Sequence, residues 1–131
     1  MNRFAGYAAL FDRADRSGDV IRAGAFAGAS GVVPLLWEHG APAGSIEWIA
    51  EDARGLRVVG RTARPLRPGL GLSIGYRVRA ARDLRSGREL LDLDLVEVSL
   101  VRLPMQPLAR VLAVETESSS PGRGGDSPQA D

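Results

Sequence analysis

The chain contains no cysteine and only one histidine, and both facts restrict its chemistry. Without cysteine, neither a disulfide framework nor a thiolate metal site can form. A single histidine also excludes an all-histidine zinc site. Any catalysis by this chain therefore depends on oxygen groups and one imidazole.

The sequence also lacks long apolar runs and an excess of one charge. No stretch approaches the roughly 20 apolar residues that a membrane helix requires. The seventeen basic residues, all arginine, are scattered and nearly balanced by sixteen acidic ones, for a net charge of +1. We therefore expect a soluble cytoplasmic protein that binds neither nucleic acid nor a membrane.

Two motifs that suggest a bound ion or phosphate are incomplete. "DRADRSGD" begins like a calcium loop at Asp12, but Ala14 and Arg16 stand where oxygen ligands are needed. The glycine-rich "RPGLGLSIG" lacks the Gly-Lys-Ser/Thr ending of a phosphate-binding loop. We expect no metal and no cofactor.

The length and a change of composition set the domain organisation. A chain of 131 residues has room for one domain and is too short for the layers of an ordinary α/β-hydrolase. From residue 115, the sequence "ETESSSPGRGGDSPQAD" has almost no residue that could enter a core. This predicts a folded domain over residues 1–114 and a disordered tail over residues 115–131.

Short strand-like segments dominate the folded part. They are "RFAGYAALF", "GSIEWIAED" and "GLRVVGRTA". In the second segment Ile46 and Trp48 alternate with polar neighbours, so Trp48, like Trp37, is expected in the core. "AGAFAGAS" could form one or two helical turns. The predicted fold is mainly β, a partly closed β-barrel with a few short helices.

A hairpin with a long second strand is predicted from "SIGYRVRAARD", "LRSG" and "RELLDLDLVEVSLVRL". In the second strand, alternate positions from Leu91 to Ser99 share one face, and apolar residues occupy that face only as far as Leu95. From Val96 the apolar residues occupy the other face. The switch predicts a β-bulge, a feature that is common beside functional sites.

The stretch "GLSIG" fits the pattern G-x-S-x-G, which presents Ser73 as a candidate nucleophile. In α/β-hydrolases the histidine follows the serine, whereas the only histidine here, His39, precedes it. Unrelated folds arrange catalytic triads in different orders, so the order His39, Ser73, acid is allowed. Glu97 is a candidate for the acid because the long strand carries it among apolar residues.

Other residues compete for these roles. Glu38 or Asp94 could replace Glu97 as the acid, and Ser99 is a rival nucleophile on the same predicted face as Glu97. A serine between glycines is also often an ordinary turn residue, and His39 could merely end a strand. Separately, two arginines could help to hold an oxyanion: Arg77 and Arg102.

The sequence resembles the prohead proteases of tailed phages and of phage-derived gene transfer agents, which are distantly similar to the herpesvirus assemblins. Five segments carry the resemblance, in the family's order: "FAGYAALFDRADRSGDVIRAGAF", "LLWEHG", "GSIEWIAEDARGLRVVGR", "GLSIGYR" and "LVEVSLVRLPMQPLARV". By this resemblance His39 takes the place of the general base and Ser73 that of the nucleophile. Glu97 falls at the third position of the triad.

The resemblance also implies a fold, an activity and partners. The fold is a β-barrel core surrounded by helices. The activity is that of a serine endopeptidase that cleaves scaffold protein, the major capsid protein precursor and itself. The enzyme would act as a homo-oligomer, a dimer, inside the assembling prohead in the bacterial cytoplasm.

One departure from the family favours a different function. Members usually carry a longer segment, including a helix, between the strand matching "GLRVVGR" and the serine motif, whereas this chain crosses with "TARPLRPGLG". The alternative to an active protease is therefore a catalytically reduced or inactive assembly module of the same fold, which binds scaffold or capsid protein.

Overall fold

The computed structural model describes residues 1–29 and 33–116, and this part of the chain folds into one mixed β-sheet. Its strands are β1 (Asn2–Leu10), β2 (Val20–Ile21), β3 (Pro34–Trp37), β4 (Ala41–Glu51), β5 (Gly55–Thr62), β6 (Gly71–Leu84), β7 (Gly87–Val101) and β8 (Val111–Thr116). The last strand extends two residues beyond the predicted domain end, and most of the predicted tail, residues 117–131, lies outside the described residues.

The long strand β7 organises the part of the sheet that carries the candidate residues. It pairs along its whole length with β6 in an antiparallel hairpin, which confirms the predicted hairpin. Strand β6 pairs with one edge of β7. Strands β2 and β3 both pair with the other edge of β7, and both run parallel to it. From β3 the sheet continues through β4, β5 and β1 to β8.

The predicted bulge in the second hairpin strand is confirmed. Gly75 pairs with Glu97 and Tyr76 pairs with Leu95, so Val96 is the extra residue. Val96 is exposed, whereas every residue from Glu97 to Val101 is buried. The bulge therefore separates an outer hairpin arm from an inner part that is covered on both faces.

The sheet does not close into the expected barrel. Gly71, the first residue of β6, forms an isolated bridge with Arg110, the residue before β8. Further along β6, the residues from Arg77 to Leu84 are exposed and pair only with β7. Within the described residues no ladder pairs β6 with β8, so the sheet stays open.

The prediction of a few short helices is also wrong for the described residues, in which no helix occurs. The segment "AGAF" forms turns instead, and Gly24 has a φ of 91° that a right-handed helix cannot include. The amides of Gly24 and Phe26 donate to the Glu51 carboxylate at 2.9 and 2.7 Å. A side chain of β4 therefore takes hydrogen bonds that would otherwise be free for helical pairing.

The two tryptophans differ in their environment. Trp37 packs partly buried against the core, as expected. The prediction that Trp48 lies in the core was wrong, because Trp48 is 46% exposed. A register shift between Ile46 and Trp48 interrupts the alternation on which the prediction depended. Outside the core, Trp48 stacks beneath the guanidinium of Arg57.

Candidate active site

Ser73 is the third residue of β6 and lies in the buried, inner part of the hairpin. It is a strand residue and not a turn residue, and it pairs across the hairpin with Ser99. Ser73 and His39 line one cleft of about 140 Å³. The other residues around this cleft are Ala8, Asp15, Ser17, Ile21, Ile74, Tyr76, Met105 and Gln106. Two residues that are 34 positions apart in sequence thus meet at one cavity.

His39 is presented by a tight turn between β3 and β4. Glu38 and His39 have φ values of 50° and 60°, and the Gly40 amide donates to the Trp37 carbonyl at 2.9 Å. Positive φ at both central positions is typical of a type I′ turn, in which asparagine and glycine are the usual residues. Non-glycine residues in this region carry backbone strain of about 1–3 kcal/mol each, and such strain is concentrated at functional sites.

Contacts with β7 hold this turn in place. The Glu38 amide donates to the Leu100 carbonyl at 2.9 Å, and the His39 amide donates to Ser99 Oγ at 3.1 Å. The Glu38 carboxylate accepts a hydrogen bond from the Arg102 amide at 3.0 Å. The strained turn is therefore fixed to the strand that carries Glu97.

The structure brings Glu97 and His39 into direct contact. Glu97 Oε2 lies 2.7 Å from His39 Nδ1, and the Glu97 side chain is 10% exposed while that of His39 is 46% exposed. A carboxylate at this nitrogen favours the tautomer in which Nδ1 carries the proton. Nε2 is then the nitrogen that can accept a proton from another group.

Two neighbours define the position of the Glu97 carboxylate. Ser99 Oγ donates to Glu97 Oε1 at 2.7 Å, so both carboxylate oxygens have a partner. On the other side lies Gly75, where a Cβ atom would stand 2.5 Å from Oε2. The second glycine of "GLSIG" therefore leaves space for the carboxylate. The sequence did not indicate the space that Gly75 leaves for Glu97, because it depends on the pairing of β6 with β7. Nor did it indicate the contact of Ser99 with the His39 amide, which depends on the pairing of β3 with β7.

Within the described residues the Ser73 hydroxyl makes no hydrogen bond, and in particular none to His39. Serine and histidine of catalytic pairs are often separated by a long or poorly aligned contact until substrate binds. The structure therefore brings the predicted base and acid together and places the predicted nucleophile in the same cleft.

The rival residues occupy other positions. Glu38 is engaged with the Arg102 amide, and Asp94 lies on the exposed hairpin arm beside Arg79. Ser99 is fully buried, which excludes it from contact with a substrate in this conformation. Arg77 lines a different cavity.

Polar side chains of Asp15, Ser17 and Tyr76 also line the cleft. Asp15 and Ser17 belong to a loop in which Asp15 Oδ1 accepts from the Ser17 amide and hydroxyl and from the Asp19 amide. Burial raises the pKa of the Tyr76 hydroxyl, and the carboxylates of Asp15 and Asp19 raise it further. At neutral pH the Tyr76 hydroxyl is therefore uncharged and can act as a hydrogen-bond donor.

Histidine and acidic side chains do not cluster in the part of the chain that the structure describes. No group of three or more histidine or acidic side chains there could hold an ion. Nor does any helix in that part have the length and apolarity to cross a membrane.

The comparison with protein families decides the identity of the chain. The sequence profile of the Caudovirus prohead serine protease family matches residues 1–122. The chain belongs to this family. No curated protein matches it. This family consists of serine proteases of phage capsid maturation, which act within the assembling capsid. The expected resemblance to prohead proteases is thereby confirmed.

Proposed function

We propose that the chain is a serine endopeptidase in which Ser73, His39 and Glu97 form the triad. The observation that carries the proposal is the 2.7 Å contact between His39 Nδ1 and Glu97 Oε2, at a cleft that Ser73 also lines. Family membership supports the reaction class. The strained backbone at Glu38 and His39 supports a functional role for the position of His39.

In the proposed reaction His39 Nε2 removes the hydroxyl proton of Ser73 as Oγ attacks the carbonyl carbon of a peptide bond. Glu97 stabilises the imidazolium that forms, without itself taking up the proton. His39 then protonates the leaving amine, and the carbon–nitrogen bond breaks to leave an acyl-enzyme. Water, deprotonated by His39, hydrolyses this ester and restores Ser73.

The backbone of β6 offers a donor for the oxyanion. The Leu72 amide donates to the Ala109 carbonyl at 2.9 Å, so it points away from β7. Amide directions alternate along a strand, and no register shift intervenes before Gly75, so the Ile74 amide points to the same side. We expect this amide, which directly follows the nucleophile, to bind the oxyanion. One such donor typically contributes about 3–4 kcal/mol. The Arg102 amide does not suit this role, because Glu38 already accepts its hydrogen bond.

The substrates that fit the family are proteins of the immature capsid. We propose the scaffold protein, the major capsid protein precursor and the protease chain itself, cleaved by a homodimer inside the prohead in the bacterial cytoplasm.

The test is incubation of the purified protein with its cognate capsid precursor and scaffold, followed by mass spectrometry of the products. We expect discrete new termini with the wild-type protein and none with Ser73→Ala. Cleavage by both proteins alike would contradict the assignment of Ser73.

The alternative, an inactive assembly module, is supported by the short crossing between β5 and β6. Residues 63–70 connect these strands without a helix. If this alternative is correct, the wild-type protein will bind capsid precursor or scaffold in a pull-down and leave both intact.

A further inference from the structure

The hydroxyl of Ser99 joins the two parts of the site that must stay aligned. It accepts a hydrogen bond from the backbone amide of His39 at 3.1 Å and donates one to Glu97 Oε1 at 2.7 Å. Ser99 itself has no exposed surface. A single buried atom thus touches the turn that carries the imidazole and the carboxylate that meets it.

Both of these contacts fix a group that would otherwise be free to move. The carboxylate of Glu97 could rotate about its side chain, and a donor at Oε1 directs Oε2 toward Nδ1. The His39 amide lies in a left-handed turn, beyond the last backbone hydrogen bond between Glu38 and Leu100. The Ser99 hydroxyl therefore supplies the acceptor for an amide of the strained turn.

The residue type suits this double role. A hydroxyl is both a donor and an acceptor, and serine places it on the shortest possible side chain. Alanine would remove both bonds. Threonine would keep the hydroxyl and add one methyl group.

We propose that Ser99 is a positioning residue that keeps the Glu97 carboxylate aligned with the His39 ring. The imidazole then keeps its proton on Nδ1 and presents Nε2 to the nucleophile. This proposal deepens the proposed protease function and rests on it. Ser99 acts through its two neighbours and does not touch the substrate.

The most direct test reads the histidine itself. His39 is the only histidine of the chain, so the ring ¹⁵N resonances of the full-length protein report on it without overlap. Above the pH at which the ring loses its charge, we expect the wild-type protein to carry the proton on Nδ1. In Ser99→Ala we expect the ¹⁵N shifts to move toward a mixture of both tautomers, and in Ser99→Thr to return toward the wild-type values.

A matched control separates positioning from general loss of stability. Thr62 is also a fully buried hydroxyl that bridges two groups, donating to the Ala43 carbonyl at 2.6 Å and accepting from the Arg64 amide at 3.1 Å. Thr62→Val removes a comparable hydroxyl away from the site. We expect it to lower the melting temperature and to leave the His39 tautomer unchanged.

Kinetics supply the second readout. With the capsid precursor as substrate, Ser99→Ala should lower kcat by about 10²-fold, the scale of a small misplacement at a reacting centre, with little change in KM. Thr62→Val should retain wild-type kcat at a temperature where it is folded. If the added methyl of Ser99→Thr prevents folding, Ser99→Cys, which keeps a weak donor, should give values between those of alanine and wild type.

The outcomes separate this inference from the proposed function. A wild-type tautomer in folded Ser99→Ala would overturn the positioning role, whether or not the protein cleaves anything. Absence of cleavage by the wild-type protein would overturn the proposed function, while the tautomer would still show whether Ser99 positions the histidine.

Discussion

Gly75→Ala tests whether the position of the Glu97 carboxylate is essential. The new Cβ would lie 2.5 Å from Glu97 Oε2, 2.9 Å from Cδ and 3.0 Å from Cγ, whereas ordinary contacts begin near 3.4 Å. The carboxylate oxygen must therefore move by about 0.9 Å, the difference between 3.4 and 2.5 Å. If it moves directly away from the ring, its distance from His39 Nδ1 grows from 2.7 Å to about 3.6 Å, which is too long for a hydrogen bond.

The expected effect is a loss of activity that is larger than the loss of stability. A misplacement of about 1 Å at a catalytic group can cost roughly 10²-fold in rate. Overpacking a well-packed site typically costs about 1–3 kcal/mol in unfolding free energy. We expect both effects in Gly75→Ala, measured as kcat on capsid precursor and by urea denaturation.

Two glycine variants serve as controls. Gly71→Ala overpacks the same strand against the Val101 carbonyl at 2.7 Å and Pro104 Cδ at 2.8 Å, without contact to Glu97. Gly28→Ala adds a methyl group where, among the described residues and apart from its chain neighbours, no atom lies within 4 Å. We expect reduced stability but retained kcat in Gly71→Ala, and wild-type values of both in Gly28→Ala. A wild-type kcat in Gly75→Ala would refute the reasoning.

Three further predictions concern the acid, the pH dependence of stability and the domain end. Glu97→Gln exchanges the ionised acceptor of the imidazole proton for an amide, so activity on capsid precursor should fall by up to about 10⁴-fold with little change in melting temperature; near-normal cleavage would leave Ser73 and His39 as a dyad. The hydrogen bond from Arg88 lowers the pKa of Asp19, so this carboxylate stabilises the fold above its unfolded pKa of about 3.9, and the stability is lost as pH falls through the lower folded value. In urea denaturation, Asp19→Asn should therefore lose more unfolding free energy at pH 7 than at pH 3. Asp92→Asn, in an exposed pair with Arg79, should lose little unfolding free energy at either pH. An equal loss at both pH values in Asp19→Asn would contradict this link between pKa and stability. Removal of residues 117–131 should leave the melting temperature unchanged, because the predicted domain ends before them, and a clear decrease would show that the tail contributes to the fold.

The hairpin and the bulge could be predicted from the sequence because both depend on local patterns. Alternation reveals which face of a strand is buried, and the switch at Val96 revealed the extra residue. The same reasoning gave a wrong environment for Trp48, because the register shift between Ile46 and Trp48 interrupts the alternation and depends on the pairing with β5. Closure of the sheet depends on pairing between β6 and β8, which are distant in sequence, and no local pattern encodes that pairing.

In the candidate site, too, some features could be predicted from the sequence and others depend on how the strands pair. His39 and Ser73 could be selected from residue type, motif and resemblance, and their common cleft follows from the fold. The contact of Gly75 with Glu97 could not be predicted, since it depends on the register of β6 against β7. The contact of Ser99 with the His39 amide could not be predicted either, since it depends on the parallel pairing of β3 with β7. The turn at Glu38 and His39 has a backbone conformation that asparagine or glycine would have signalled and that these residues do not.

The most direct measurement of the central claim is labelling of the protein by a serine-directed fluorophosphonate, followed by peptide mapping. A hydroxyl activated by His39 and Glu97 reacts with such a probe, whereas an ordinary serine does not. We expect one adduct, on Ser73, whose formation rate falls strongly in Glu97→Gln and which is absent in Ser73→Ala. No adduct on the folded wild-type protein, or an adduct on another serine that persists in Ser73→Ala, would contradict the account.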